Sequence, residues 1–152
     1  MMHNGFTLVE LVVVIAVMAI MAAVAAPRFA NGDIFETRGD AGLVSSTLRY
    51  AQKTAIAQRR NVYVILDDAV PDKVSLCFDI ACNQVVTNPG TATAYVMTGS
   101  KNVDITSENS SMGFDSLGRP VPNATVIYQV NNRKNNAQSV AINVEINTGY
   151  IH

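Results

Sequence analysis

The chain has 152 residues, enough for one small domain plus an anchoring segment. Its formal net charge is −1 with 15% charged residues, so neither a strongly basic surface for nucleic acid nor an acidic disordered tail is expected. The only histidines, His3 and His152, sit at the chain ends, which excludes a Ser-His-Asp or Cys-His arrangement, and neither a P-loop nor a dinucleotide fingerprint occurs.

From Phe6 to Ala26 every residue is apolar except Thr7 and Glu10. As a helix rising about 1.5 Å per residue, this stretch spans roughly 31 Å, the thickness of a hydrocarbon core. It is apolar on every face, unlike the patterned helix of a soluble core. A cleaved secretory signal would need a charged start and an apolar run of about 7–15 residues. Here Met1–Gly5 holds no Lys or Arg and the run is longer; Ala25-Ala26 could end such a signal, but Pro27 directly after the cut is unfavourable. A plain anchor fits the length and leaves Glu10 unexplained. A carboxylate in hydrocarbon costs on the order of 2.5–3.5 kcal/mol on insertion scales and marks a functional position.

Gly5 followed by Phe6-Thr7-Leu8-Val9-Glu10-Leu11 resembles the prepilin cleavage and methylation motif. The resemblance implies that residues 1–5 are a leader, cut after Gly5 by a prepilin peptidase on the cytoplasmic side. It implies that Phe6 is then N-methylated, and that residues 6–30 are retained as a transmembrane and filament-core helix. Glu10 becomes the fifth residue of the mature chain, the position of the family's glutamate. Its partner in low dielectric would be the α-amine released at Phe6, its own or a neighbour's. The leader lacks the family's usual Lys or Arg, so the positive-inside rule specifies orientation weakly from this flank. Pro27 ends the uninterrupted apolar run and favours a kink or break, and Asn31-Gly32-Asp33 is a second break signal.

Residues 31–152 read as one globular domain. Arg38–Arg60 predicts a second helix, with Ala41, Val44, Leu48, Ala51 and Ala55 as its apolar stripe. Asp40 early, and Lys53, Arg59 and Arg60 late, suit the helix dipole; the basic end could also meet lipid headgroups or a partner's carboxylates. The period then changes to two. Strands are expected at Asn61–Asp67, Lys73–Phe78, Thr93–Met97, Val103–Thr106, Met112–Asp115, Thr125–Val130 and Ser139–Ile146. Turns at Asp67-Asp68, Asn88-Pro89-Gly90, Gly118-Arg119-Pro120 and Asn131-Asn132 separate them, and Asn147-Thr148-Gly149 leads into a short terminal strand. The fold class is α+β: a long hydrophobic helix, a second helix, then antiparallel sheets, sandwich-like.

Leu48-Arg49-Tyr50-Ala51-Gln52-Lys53-Thr54-Ala55-Ile56, Phe114-Asp115-Ser116-Leu117-Gly118-Arg119-Pro120 and Thr148-Gly149-Tyr150-Ile151 resemble the GspH/FimT branch of type IV pilin-like proteins. The helix also resembles that of minor pilins of mannose-sensitive haemagglutinin-type pili. The resemblance implies a minor pilin or pseudopilin, not an enzyme and without cofactor. It would be a structural subunit of a type IV pilus or a type II secretion pseudopilus. Its partners would be other pilins, the prepilin peptidase and an inner-membrane assembly platform. The protein would be a single-pass inner-membrane protein with its domain in the periplasm.

Cys77 and Cys82 are either a disulfide closing a small loop, as an oxidising compartment favours, or two free thiols. Zinc lacks a second cysteine pair or an internal histidine, Asp67-Asp68 fits a solvated turn better than a calcium site, and no metal is expected. The runner-up function, DNA capture during uptake, needs a basic patch. The candidates are Arg119, Arg133 and Lys134, with Lys101. The loop Asn131–Asn136 carries only two charges and the Arg119 turn lacks a second basic residue, so nucleic acid is the weaker expectation.

Overall fold

The structure, a computed structural model, describes residues 7–29, 32–135 and 137–152, the side chains of 26–33 excepted. The chain divides into two compact units, one ending at Gly32 and one running Asp33–His152.

The first unit contributes helix α1, Leu8–Phe29. Pro27 lies inside it, so the proline does not end the helix. The loss of one N–H within the last turn is tolerated there. The break expected at Asn31 lies outside the described residues.

The second unit holds all but the first residue of α2, Gly32–Gln58. It begins about two turns before the predicted Arg38 because its buried stripe continues upstream through polar residues: Thr37 and Asp40 are buried along with Ala41, Val44, Thr47, Leu48, Ala51, Thr54 and Ala55. The helix also stops before its predicted basic end. Arg59 adopts φ 52°, Arg60 N–H donates to Ala55 C=O (3.2 Å) and Arg59 N–H to Ile56 C=O (3.3 Å), the hydrogen-bond pair of a Schellman motif. Arg60 is then engaged locally, its guanidinium 3.8 Å above the Phe78 ring and donating to Gln84 Oε1 at 3.0 Å.

Eight strands follow: β1 Val62–Asp67, β2 Lys73–Cys77, β3 Val96–Thr98, β4 Val103–Ser107, β5 Ser111–Phe114, β6 Pro120–Val121, β7 Val126–Asn132 and β8 Ser139–Val144. They form a five-stranded antiparallel sheet, β3-β2-β1-β5-β6, and a three-stranded one, β4-β7-β8. Inward residues of both sheets, among them Val64, Leu76, Phe114, Ile105 and Tyr128, join the α2 stripe in one core. The β6 strand was hidden in the sequence because Pro120 reads as turn chemistry; it lies at a sheet edge, where a missing N–H costs no ladder bond. The predicted terminal strand shrinks to a bridge, Val144↔Ile151.

One polar cluster ties the sheets together. Asp72, fully buried between β1 and β2, accepts the Ile105 N–H of β4 at 2.6 Å and pairs with the Arg133 guanidinium. Arg133 also reaches Asp104 (2.9 Å) and the Val103 carbonyl (2.9 Å). Removing one partner of a buried pair leaves the other group unsatisfied. Asp72→Ala should therefore lower unfolding stability by about 2 to 3 kcal/mol, somewhat below a fully buried pair because Arg133 keeps Asp104. Chemical denaturation of wild type and variant checks this, and an unchanged midpoint refutes it.

Candidate functional site

Two features are built for more than folding. The first is the start of α1. Thr7 Oγ1 accepts the Glu10 N–H (3.2 Å) and Thr7 C=O accepts the Leu11 N–H (3.2 Å), which makes Thr7 the N-cap and Glu10 the third helical residue. The spacing is that of a capping box, Ser/Thr-x-x-Glu, and places the carboxylate at the positive end of the helix dipole. Thr7 was not singled out in the sequence reading, although this spacing before an apolar run was the signal that could have found it. Beyond the cap, Leu11–Ala26 carries no polar side chain. Leu8, Ile15, Ile20 and Met21 are each more than half exposed, and Leu8–Ala25 is long and apolar enough to cross a membrane. Gly5 and Phe6 lie outside the described residues.

The second is a junction where α2 holds two loops together. Gln52 Nε2 lies within hydrogen-bond distance of three carbonyls: Gly118 (2.8 Å), Gly149 (2.9 Å) and Thr148 (3.3 Å). One turn earlier Arg49 donates to the Ile151 carbonyl (3.2 Å). The three stretches that carried the family resemblance therefore meet in space. Gly149 (φ +64°) is so close to the other loop that a Cβ would fall 2.0 Å from the Gly118 oxygen; at Gly118 (φ +81°) a Cβ would meet the Ile56 side chain at 2.8 Å.

Cys77 and Cys82 form a disulfide, closing the loop after β2. The same loop is capped by Asp79, whose carboxylate accepts the Asn83 (2.9 Å) and Gln84 (2.8 Å) amides.

The nucleic-acid candidates are not a patch of uncommitted cations. Arg119 pairs with Asp115 (2.9 Å) and Arg133 with Asp72 and Asp104. Arg119 sits in the β5–β6 turn, Arg133 and Lys134 in the β7–β8 loop, and Lys101 before β4. Burial opposes ionisation of Asp115. The amides of Arg119 and Leu117 and the Arg119 guanidinium outweigh it together, holding that carboxyl below its ordinary value. The turn is thus stabilised above the ordinary carboxylate pKa, and that contribution is lost as pH falls through the depressed one. Among the described residues no group of three or more His, Cys, Asp or Glu side chains could hold a metal ion.

Residues 1–26 match the model of the prokaryotic N-terminal methylation motif, and residues 40–149 match that of type II transport protein GspH. Comparison with curated protein sequences gives no match. Among solved structures the chain is similar to the type IV minor pilin FimU of Pseudomonas aeruginosa, with TM-score 0.60 and 15% identity over 77% of this chain and 87% of that one. It is similar also to the minor pseudopilin EpsH of the Vibrio cholerae type 2 secretion system, with TM-score 0.59 and 11% identity over 77% of this chain and 94% of that one. At these identities the structures establish the fold, a pilin-like one. The GspH match covers most of the chain and the methylation motif precedes it: the chain belongs to the GspH family and is a minor pilin or pseudopilin.

Proposed function

We propose that the chain is cut between Gly5 and Phe6 by a prepilin peptidase, N-methylated at Phe6, and carried by α1 from the inner membrane into a filament. There it serves as a minor subunit of a type IV pilus or type II secretion pseudopilus. Its domain stands on the periplasmic side before assembly, and an inner-membrane platform extracts it. The observation that carries this reading is the single carboxylate, Glu10, on the capped first turn of α1, ahead of a run from Leu11 to Ala26 without a polar side chain. A simple anchor has no use for such a group, whereas a helix that must register against neighbours through a cleaved amine does. Subunits assembled this way share a core of N-terminal helices held by apolar packing, and the exposed valines, leucines and isoleucines of α1 supply it. The pairing of Arg119 and Arg133 within the domain supports a structural role over DNA capture.

Immunoblotting of sheared, purified filaments tests the proposal. The chain should be present, far below the major subunit, with its apolar helix attached. Recovery only from the soluble periplasmic fraction, with filaments free of it, would overturn the proposal.

A further inference from the structure

The outer strand of the three-stranded sheet, β8, has an edge that is paired only at its C-terminal end among the described residues. Asn143 exchanges two backbone hydrogen bonds with His152 (2.8 and 3.1 Å), so its N–H and C=O point away from β7. In an antiparallel ladder that orientation recurs every second residue. Ala141 and Ser139 therefore present their N–H and C=O groups the same way, and both are exposed, without Lys or Pro to guard the edge. His152 occupies the first place along this edge, and the next two are open among the described residues.

A groove runs beside the edge, floored by α2. Two cavities of about 240 and 360 Å³ share Arg38 and Val140, the first reaching Gln138 and Ser139 and the second Gly42, Arg49 and Ala141. The two adjoin at the shared residues, and along them α2 and β8 advance in the same direction. Gly42 leaves the groove open, since a Cβ there would meet nothing within 4 Å. Of Asp, Glu, Lys and Arg, only arginine side chains line it. Arg38 is exposed and has neither ion pair nor hydrogen bond among the described residues, and Arg49 donates only to the Ile151 carbonyl. No Asp or Glu side chain lines either cavity, and the imidazole of His152 faces Glu145 at 3.9 Å. The Gln138 Oε1 beside the edge is buried and has no hydrogen-bond partner among the described residues.

We propose that this groove takes an extended, acidic segment of a partner protein, which adds to β8 as a further strand and directs carboxylates at Arg38 and Arg49. Strand addition satisfies the open edge groups, and the guanidiniums select the charge. Eleven helical residues separate the two arginines, about 16 Å. An extended chain covers that in roughly five residues, and side chains on one face recur every second residue, so carboxylates four or six positions apart fit.

The test uses the full-length protein in detergent micelles and a blocked, fluorescently labelled peptide, Thr-Val-Glu-Thr-Val-Thr-Glu-Val-Thr. Binding should slow amide hydrogen exchange at Ser139 and Ala141 by tenfold or more. Replacing both peptide glutamates by lysine, or Arg38→Glu in the protein, should weaken it at least tenfold. Ala141→Pro, which removes an outward N–H and no bond to β7, should abolish it. Equal affinity for the glutamate and lysine peptides, no binding of either at millimolar concentration, or protection that spares Ser139 and Ala141 would each overturn the proposal.

Discussion

Glu10→Gln subunits should reach the inner membrane at normal levels and enter filaments at less than a tenth of the wild-type rate. The substitution keeps the length and hydrogen-bonding capacity of the side chain and leaves the Thr7 cap in place, so α1 should form and insert as before. What it removes is the charge. Prepilin cleavage would release an α-amine with a reference pKa near 8, cationic at neutral pH. A carboxylate paired with that amine lets both groups enter low dielectric together. With glutamine the amine is left alone, at a cost of several kcal/mol for an uncompensated ion. Only about 1.4 kcal/mol of that need appear in the assembly step to give a tenfold loss. Quantitative immunoblots of membrane and sheared-filament fractions measure both quantities. Incorporation equal to wild type would remove the electrostatic role assigned to Glu10.

Gly149→Ala should be the most damaging single-methyl change in the globular unit. The new Cβ would lie 2.0 Å from the Gly118 carbonyl oxygen and 2.6 Å from Gln52 Nε2, at a φ of +64° that L side chains rarely adopt. The loops must separate, and Gln52 then loses acceptors it holds at 2.8 and 2.9 Å. Backbone strain and lost part-buried hydrogen bonds together imply a loss of about 3 kcal/mol. For a domain of this size that is a fall of roughly 10 °C in Tm. Gly90→Ala is the control, because its Cβ would meet only Asn88 Oδ1 at an ordinary 3.5 Å; it should change Tm by no more than about 2 °C. Circular dichroism melts of the three proteins decide it, and a Gly149→Ala melt within about 2 °C of wild type would show that the two loops are not locked together.

The parts of the fold legible in the sequence were those written in a simple apolar period. Ala41, Val44, Leu48, Ala51 and Ala55 marked the buried face of α2, and the alternating Val62 and Val64 of β1 and Val126, Tyr128 and Val130 of β7 marked those strands, because burial at these positions is mainly hydrophobic. The errors fall where polar groups do structural work. Thr37 is buried upstream of the apolar stripe, so a hydrophobic pattern started α2 too late, and Arg59 and Arg60 form its exit turn although their charge made them look like its last turn. Arg133 shows the same limit at the candidate site. Its partner Asp72 lies 61 residues away in sequence, and no local spacing announces the pair, so an internal ion pair was read as a possible phosphate contact. Gln52 was visible only as part of a resemblance; its role depends on Gly118 and Gly149, which the fold alone brings together. By contrast Glu10 stood out at once, because a charge inside hydrocarbon is conspicuous without any tertiary information.

The most direct test is the mass of the N-terminal peptide from the protein as cells make it. Processing as proposed gives a chain that begins with N-methylphenylalanine at Phe6 and keeps every residue of α1 behind it. A mature chain beginning after Ala26, with the hydrophobic stretch gone, would contradict the filament-subunit account at its root.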